Sequence, residues 1–221
     1  AAVVQLAHDV AGLVVGLDFT GLLSENGMAL FFGLVIVAIA CIIMGAGVPT
    51  TPTYIILAAI VAPTLAQLGV PQLATHFFVF YYGVLADVTP PVALAAFAAA
   101  GIARSEPMRT GVTAFRLSMG KALVPFAFVY TPAMLLIDFS WPPFLLGIFS
   151  TIVAILGLGA AYTGFFGRKI HRPAFVVLNV LSLSLVFGNP IVTAVAAPLV
   201  LFTLYWHWRG AEHDIPLGAI R

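Results

Sequence analysis

The chain has 221 residues, 62% of them hydrophobic and only 8% charged, where soluble proteins carry about 25% charged residues. With a mean hydropathy of +1.12, nine Lys+Arg and eight Asp+Glu cannot build a hydrophilic shell around so much apolar surface. A soluble globular domain, a disordered tail and a nucleic-acid binder with a basic face are thereby excluded, and the solvent for most of this protein is the lipid bilayer. The net charge of +1 says little about partners. Its distribution says more, because the first basic residue is Arg104 and the others follow in short clusters. The single Cys41 lies in an apolar run, so no intrachain disulfide forms. The chain starts at Ala1 with neither an initiator Met nor a basic leader, and it is expected to be a piece of something longer.

In chain order, a spanning helix requires roughly 20 apolar residues. Residues 1–24 form a weak transmembrane helix, rich in Gly and carrying Asp9 and Asp18. Residues 28–68 read as two apolar arms, Met28 to Met44 and Tyr54 to Leu68, around a tip at 45–53 built from Gly, Thr and Pro. Each arm reaches only about 20–25 Å, short of a full crossing, which suggests a re-entrant hairpin. Residues 72–103 read as a broken transmembrane helix. Its aromatic half ends at Asp87-Val88-Thr89-Pro90-Pro91, where two prolines remove two backbone donors and oppose helix in the residue before them.

Residues 104–121 set Arg104, Arg109, Arg116 and Lys121 against Glu106 alone and read as a cytoplasmic loop. Residues 122–166 hold two transmembrane helices, the first kinked by Pro125 and Pro132. Residues 174–208 are apolar on both sides of Gly188-Asn189-Pro190, as an apolar hairpin or two short helices, and a polar tail follows at 209–221. The excess of Lys and Arg on cytoplasmic loops orders these segments. Arg168, Lys169 and Arg172 lie inside, Asp138 and Trp141 outside, the 104–121 loop inside, and the Leu68–Gln72 turn outside. The fold class is an all-α polytopic membrane protein.

Non-helical backbone at membrane depth survives only where protein buries it or where it lines a polar cavity. Here two such breaks, about forty residues apart, are both made of Thr, Pro and small residues. Opened helix ends offer carbonyls to a cation and N–H groups to an anion, and discontinuous helices at the midplane are a recurring design of secondary transporters. The hydroxyls of Thr50, Thr51 and Thr89 would add oxygen ligands. The alternative is a Gly45-Ala46-Gly47 packing face with tolerated proline kinks. Asp87 serves an ion or proton at depth, caps the following half-helix, or does both. His76, and His207 among Tyr205, Trp206 and Trp208, read as interfacial belt residues. The common hydrolase, nucleotide and zinc signatures are missing.

The strings MGAGVPTTPTYI (Met44–Ile55), Val61–Ala103 with its TPP, and SEPMRTG (Ser105–Gly111) resemble the large membrane subunit of tripartite ATP-independent periplasmic (TRAP) transporters, and within them the fused permeases served by TAXI-type binding proteins. The resemblance is close over about Val35 to Ile137. It implies a sodium-driven importer of organic acids in a bacterial inner membrane, supplied by a periplasmic TAXI-type binding protein. It also implies an elevator-type fold of two inverted repeats, of which this sequence holds one, with its re-entrant hairpin and broken helix. By the same resemblance a Na+ ion is held around Gly47, Pro49, Thr50, Asp87, Val88, Thr89 and Pro91. The substrate carboxylate is expected at Thr50, Thr51, Thr89 and Pro90. With one hairpin and one broken helix, the chain is expected to be the C-terminal part of such a permease, needing an N-terminal half or a small membrane subunit as partner. Two other readings compete: a membrane-embedded enzyme using Asp87, which needs a second titratable group at the same depth, and a structural subunit that transports nothing.

Overall fold

The computed structural model describes residues 28–209. The expected helix at 1–24 and nearly all of the expected polar tail lie outside the described residues. The chain divides into two compact units, one ending at Phe115 and the other beginning at Arg116, and each is described by itself. Apart from one small β-hairpin, all regular structure among the described residues is helical.

The first unit is built on three packed helices, α1 (Met28–Gly45), α2 (Thr50–Gln67) and α3 (Gln72–Leu85). Each buries one stripe at helical spacing: Leu34, Val37, Ala38 and Cys41 on α1, Leu57, Val61 and Leu65 on α2, and Ala74, Phe78, Val79 and Tyr82 on α3. Such spacing places side chains three and four apart on one face. The turn between α2 and α3 closes on Gly69, whose φ of +76° is open to glycine at no steric cost. There the Val70 N–H donates to the Leu65 carbonyl at 3.0 Å and satisfies an orphan of the helix end. Beyond α3 the chain makes a 3₁₀ turn at Ala86–Val88, then irregular backbone, then α4 (Leu94–Ala103) and α5 (Pro107–Ser118).

The stretch expected as a loop at 104–121 therefore carries helix α5. Glu106 explains its start. Its carboxylate accepts from the backbone N–H groups of Met108 and Arg109 at 2.9 and 2.5 Å, a capping arrangement that offsets the orphan donors of the first turn. The lone acid among four bases is thus a local helix device.

In the second unit the expected kinked helix is more fragmented than the sequence suggested. A 3₁₀ turn (Lys121–Leu123), α6 (Val124–Tyr130) and a second 3₁₀ turn (Pro132–Leu135) replace it, because Pro125 lies in the first turn of α6 and Pro132, which cannot continue α6, opens the next piece. Helix α7 (Trp141–Thr163) follows, then a hairpin of β1 (Phe165–Phe166) and β2 (Arg168–Lys169), then α8 (Arg172–Leu185) and α9 (Pro190–Arg209). The apolar region after residue 174 is thus two helices in contact, joined across Val186–Asn189.

Helix α7 is apolar on both sides but sorts its residues by size. Leu145, Phe149, Ile152 and Leu156 are about half exposed, while Gly147, Ser150, Thr151, Ala154, Gly157 and Ala161 are buried. Large residues outward and small residues inward is the membrane pattern, since lipid competes well with Leu and close backbone approach supplies the helix–helix attraction. By length and composition α2, α7 and α9 suffice to cross a membrane, with a fourth crossing if the bent pair Pro107–Ser118 and Lys121–Tyr130 counts as one span.

Gly157 marks the tightest of these contacts. A Cβ placed there meets Ser182 Oγ on α8 and sits 2.8 Å from Val200 Cγ1 on α9. Gly157→Ala is therefore expected to lower stability by about 1–3 kcal/mol. Gly159→Ala, two residues away with nothing within 4 Å of its Cβ position, should be neutral or slightly stabilising. Thermal unfolding of the two purified variants in detergent checks this, and equal midpoints would contradict the packing.

Candidate functional site

Two breaks in the first unit carry the residues singled out from sequence. The first is Ala46–Pro49, between α1 and α2. Its Gly47 takes φ +81°, a conformation that suits glycine. The Val48 N–H donates to the Gly45 carbonyl at 3.3 Å, and Thr53 Oγ1 donates to the Val48 carbonyl at 3.2 Å, tying the tip to the first turn of α2. Pro49 is the N-cap of α2 and supplies no side-chain cap, so first-turn N–H groups keep their positive end free.

The second is the stretch from Ala86 to Ala93. After the 3₁₀ turn, Thr89 adopts extended backbone, φ −99° and ψ 119°. Its hydroxyl donates to the Leu85 carbonyl at 2.8 Å, which leaves the oxygen lone pairs available to a cation. The Ala93 N–H donates to the Thr89 carbonyl at 3.1 Å. Ala93 takes φ 22° and ψ 52°, and as N-cap of α4 it gives no side-chain cap. Two uncapped helix N-termini, those of α2 and α4, thus open at the two breaks.

These breaks lie against each other. A Cβ on Gly45 would fall 2.9 Å from Ala86 Cβ, 3.2 Å from Thr53 Cγ2 and 3.3 Å from the Gly83 carbonyl oxygen, and a Cβ on Gly47 would fall 3.3 Å from Val92 Cγ1. The end of α1 is seated on the junction of α3 and its 3₁₀ turn because no side chain separates them. On its other side the break meets α5, where a Cβ on Gly111 would stand 3.1 Å from Phe97 Cε1, 3.4 Å from Ala93 Cβ and 3.6 Å from Pro90 Cγ. Gly45, Gly83, Ala86 and Gly111 hold the arrangement together; sequence reasoning offered Gly45 as part of a packing face and gave Gly83, Ala86 and Gly111 no role. The signal was present in MGAG and SEPMRTG, whose glycines sit at contacts too close for a side chain.

The residues singled out from sequence divide between these two surfaces. Gly47, Pro49, Thr50 and Thr51 lie on the tip, with Thr50 half-buried and the other three exposed. Asp87, Val88, Thr89 and Pro90 are half-buried at the break, while Pro91 is exposed. Asp87 does not cap the next half-helix. The two prolines and the turn after them put six residues between it and the first position of α4, and the cap is Ala93. Among the described residues no three His, Cys, Asp or Glu side chains gather as a metal site. A cation held here would rest on carbonyl and hydroxyl oxygens.

The two histidines read as belt residues each have contacts within the protein. His76 Nδ1 lies 3.1 Å from the Tyr54 hydroxyl, which joins α2 to α3. His207 is only 5% exposed, because it falls in phase with the buried stripe Thr193, Ala197, Val200 and Leu204, while its neighbours Trp206 and Trp208 face outward.

The family model described as "Tripartite ATP-independent periplasmic transporter, DctM component" matches residues 1–143. The chain belongs to this family. The match contains both breaks and the α5 glycine that packs on them, and it ends within the first turn of α7. No curated protein and no solved structure matches the chain. This DctM-family chain is accordingly a multi-pass membrane protein and a transporter permease rather than an enzyme, and its family implies a periplasmic binding-protein partner.

If the seat of the tip on the break depends on missing side chains, Gly45→Val should destabilise the protein by about 1–3 kcal/mol through overpacking. Gly101→Ala on α4, with nothing within 4 Å of its Cβ position, should not. Thermal midpoints of the purified variants decide it, and an unaffected Gly45→Val would mean that the tip sits elsewhere.

Proposed function

We propose that this chain is part of a sodium-coupled permease that imports organic acids across a bacterial inner membrane, and that a periplasmic TAXI-type binding protein delivers the substrate. The observation that carries the reading is the contact between the two breaks, Gly45 on Ala86 and Gly47 beside Val92, with an uncapped helix N-terminus at each. Sodium prefers hard oxygen donors. Carbonyls and hydroxyls around Gly47, Pro49, Thr50, Val88, Thr89 and Pro91 supply them, with Asp87 as the nearby carboxylate. The Thr89 hydroxyl suits this role because its proton is already committed to the Leu85 carbonyl.

The free N–H groups at the same helix starts favour an anion, so Thr50, Thr51, Thr89 and Pro90 would face the substrate carboxylate. Bringing a cation and an anion to one pair of broken helices links their binding. Each neutralises the field that the other must enter, which is the physical basis of coupling. The α1–α2 unit is read as a re-entrant hairpin, and the unit it forms with the broken helix as one of two inverted repeats in an elevator-type carrier.

The test is sodium-driven uptake in liposomes holding the permease with its binding protein, using radiolabelled succinate, a keto acid, an amino acid and a sugar acid as probes. Uptake of at least one probe should require an inward sodium gradient. Thr50→Ala and Thr89→Ala should each cut uptake roughly tenfold or more, as the loss of about 1.4 kcal/mol of ion or substrate binding would, with expression retained. Normal uptake by both variants would remove the site assignment, and uptake indifferent to sodium would remove the coupling ion.

A further inference from the structure

The second unit carries a concentration of positive charge that the transport reading does not use. Between Phe139 and Arg209 the sequence contains no Asp or Glu, yet it holds Arg168, Lys169, Arg172 and Arg209. Arg168 and Lys169 form β2, Arg172 opens α8 and Arg209 closes α9. Both strands of the hairpin pack on α9. Because α8 starts and α9 ends beside this hairpin, the four bases gather at one end of the α7–α8–α9 bundle. That end is the cytoplasmic one by the excess of Lys and Arg there.

Two polar atoms at this end are buried without a partner: Arg168 Nε, a donor, and His207 Nε2. His207 Nδ1 lies 2.8 Å from the Thr203 carbonyl oxygen. A carbonyl can only accept, so Nδ1 carries a proton, and in that tautomer Nε2 is an acceptor. Unpartnered buried polar groups are costly and call for an explanation. Beside His207 an open groove of about 380 Å³ is lined by Phe202, Thr203, Trp206 and His207 itself. Phe202 and Trp206 are each 61% exposed, so the groove opens toward the surrounding lipid. Tyr205 carries Arg209 over its ring at 5.9 Å.

We propose that this end of the bundle binds an anionic phospholipid with a hydroxylated headgroup. Its phosphate diester accepts from Arg168 and is flanked by Lys169, Arg172 and Arg209. A headgroup hydroxyl donates to His207 Nε2, and an acyl chain lies along Phe202 and Trp206. An anionic head, a hydroxyl donor and a hydrocarbon tail are the three features that the basic cluster, the orphan acceptor and the apolar groove each require, and basic pockets on the cytoplasmic side are where such headgroups settle. The site lies beyond the residues that the family model matches, and it does not depend on the sodium or carboxylate assignments.

Native mass spectrometry of the purified protein, with phosphatidylglycerol or phosphatidylcholine added in equal amounts, tests this. The protein should retain phosphatidylglycerol roughly tenfold better than phosphatidylcholine. Arg168→Gln should abolish the preference. Lys169→Gln with Arg172→Gln, both at exposed positions where a polar replacement is tolerated, should reduce it in the same direction, while Arg104→Gln with Arg109→Gln should leave it intact. Equal retention of the two lipids by the unaltered protein would overturn the proposal, as would a preference left undiminished by the Lys169 and Arg172 changes.

Discussion

Backbone N–H and C=O groups released at a helix break cannot be left facing hydrocarbon, where each unmet group costs several kcal/mol. In the first unit this constraint is met by pressing one break against the other. The seat requires that Gly45, Gly83 and Ala86 present almost no side chain, since a single added carbon on Gly45 would already meet Ala86 Cβ at 2.9 Å. Gly111 of α5 closes the opposite side on Pro90 and Ala93. The same packing that shelters the breaks concentrates their polar groups, so the device that makes irregular backbone tolerable is also what the proposed ion site would use. Stability and candidate function rest on one contact.

The second unit solves the complementary problem of holding apolar helices together in an apolar solvent. Hydrophobic burial provides little driving force there, so α7 turns Gly147, Ala154, Gly157 and Ala161 inward and leaves its large side chains to the lipid. Membership of the DctM family rests on residues 1–143, which include the first unit and only the beginning of this bundle. The bundle's basic end and its orphan polar atoms lie outside the matched residues.

What could be read in advance follows from which signals are local. The membrane class was legible from composition, and the two breaks from GAGVPTTP and DVTPP, because glycine and proline act on the backbone within a residue or two. The mutual seat of the breaks was not legible, since nothing local says that Gly45 faces Ala86 some forty residues away. Charge misled twice. Arg104 to Lys121 read as a loop because its bases are conspicuous, whereas Glu106 caps a helix there. Asp87 read in one alternative as a cap, but the chain needs the length of Pro90–Val92 to turn before α4 can begin. His207 read as part of an aromatic belt because sequence neighbours share no helix face, and its true companions are three, seven, ten and fourteen residues back at Leu204, Val200, Ala197 and Thr193.

Sodium coupling at this site requires that the tip and the break respond to sodium as one. The direct measurement is the rate of maleimide labelling of single cysteines introduced at Thr51 and at Val92, in a Cys41→Ser background, in membranes with sodium or with potassium. Sodium, and not potassium, should slow labelling at both positions together, since one ion would close both surfaces. Rates that are the same in the two salts, or a sodium effect at one position alone, would contradict a shared site.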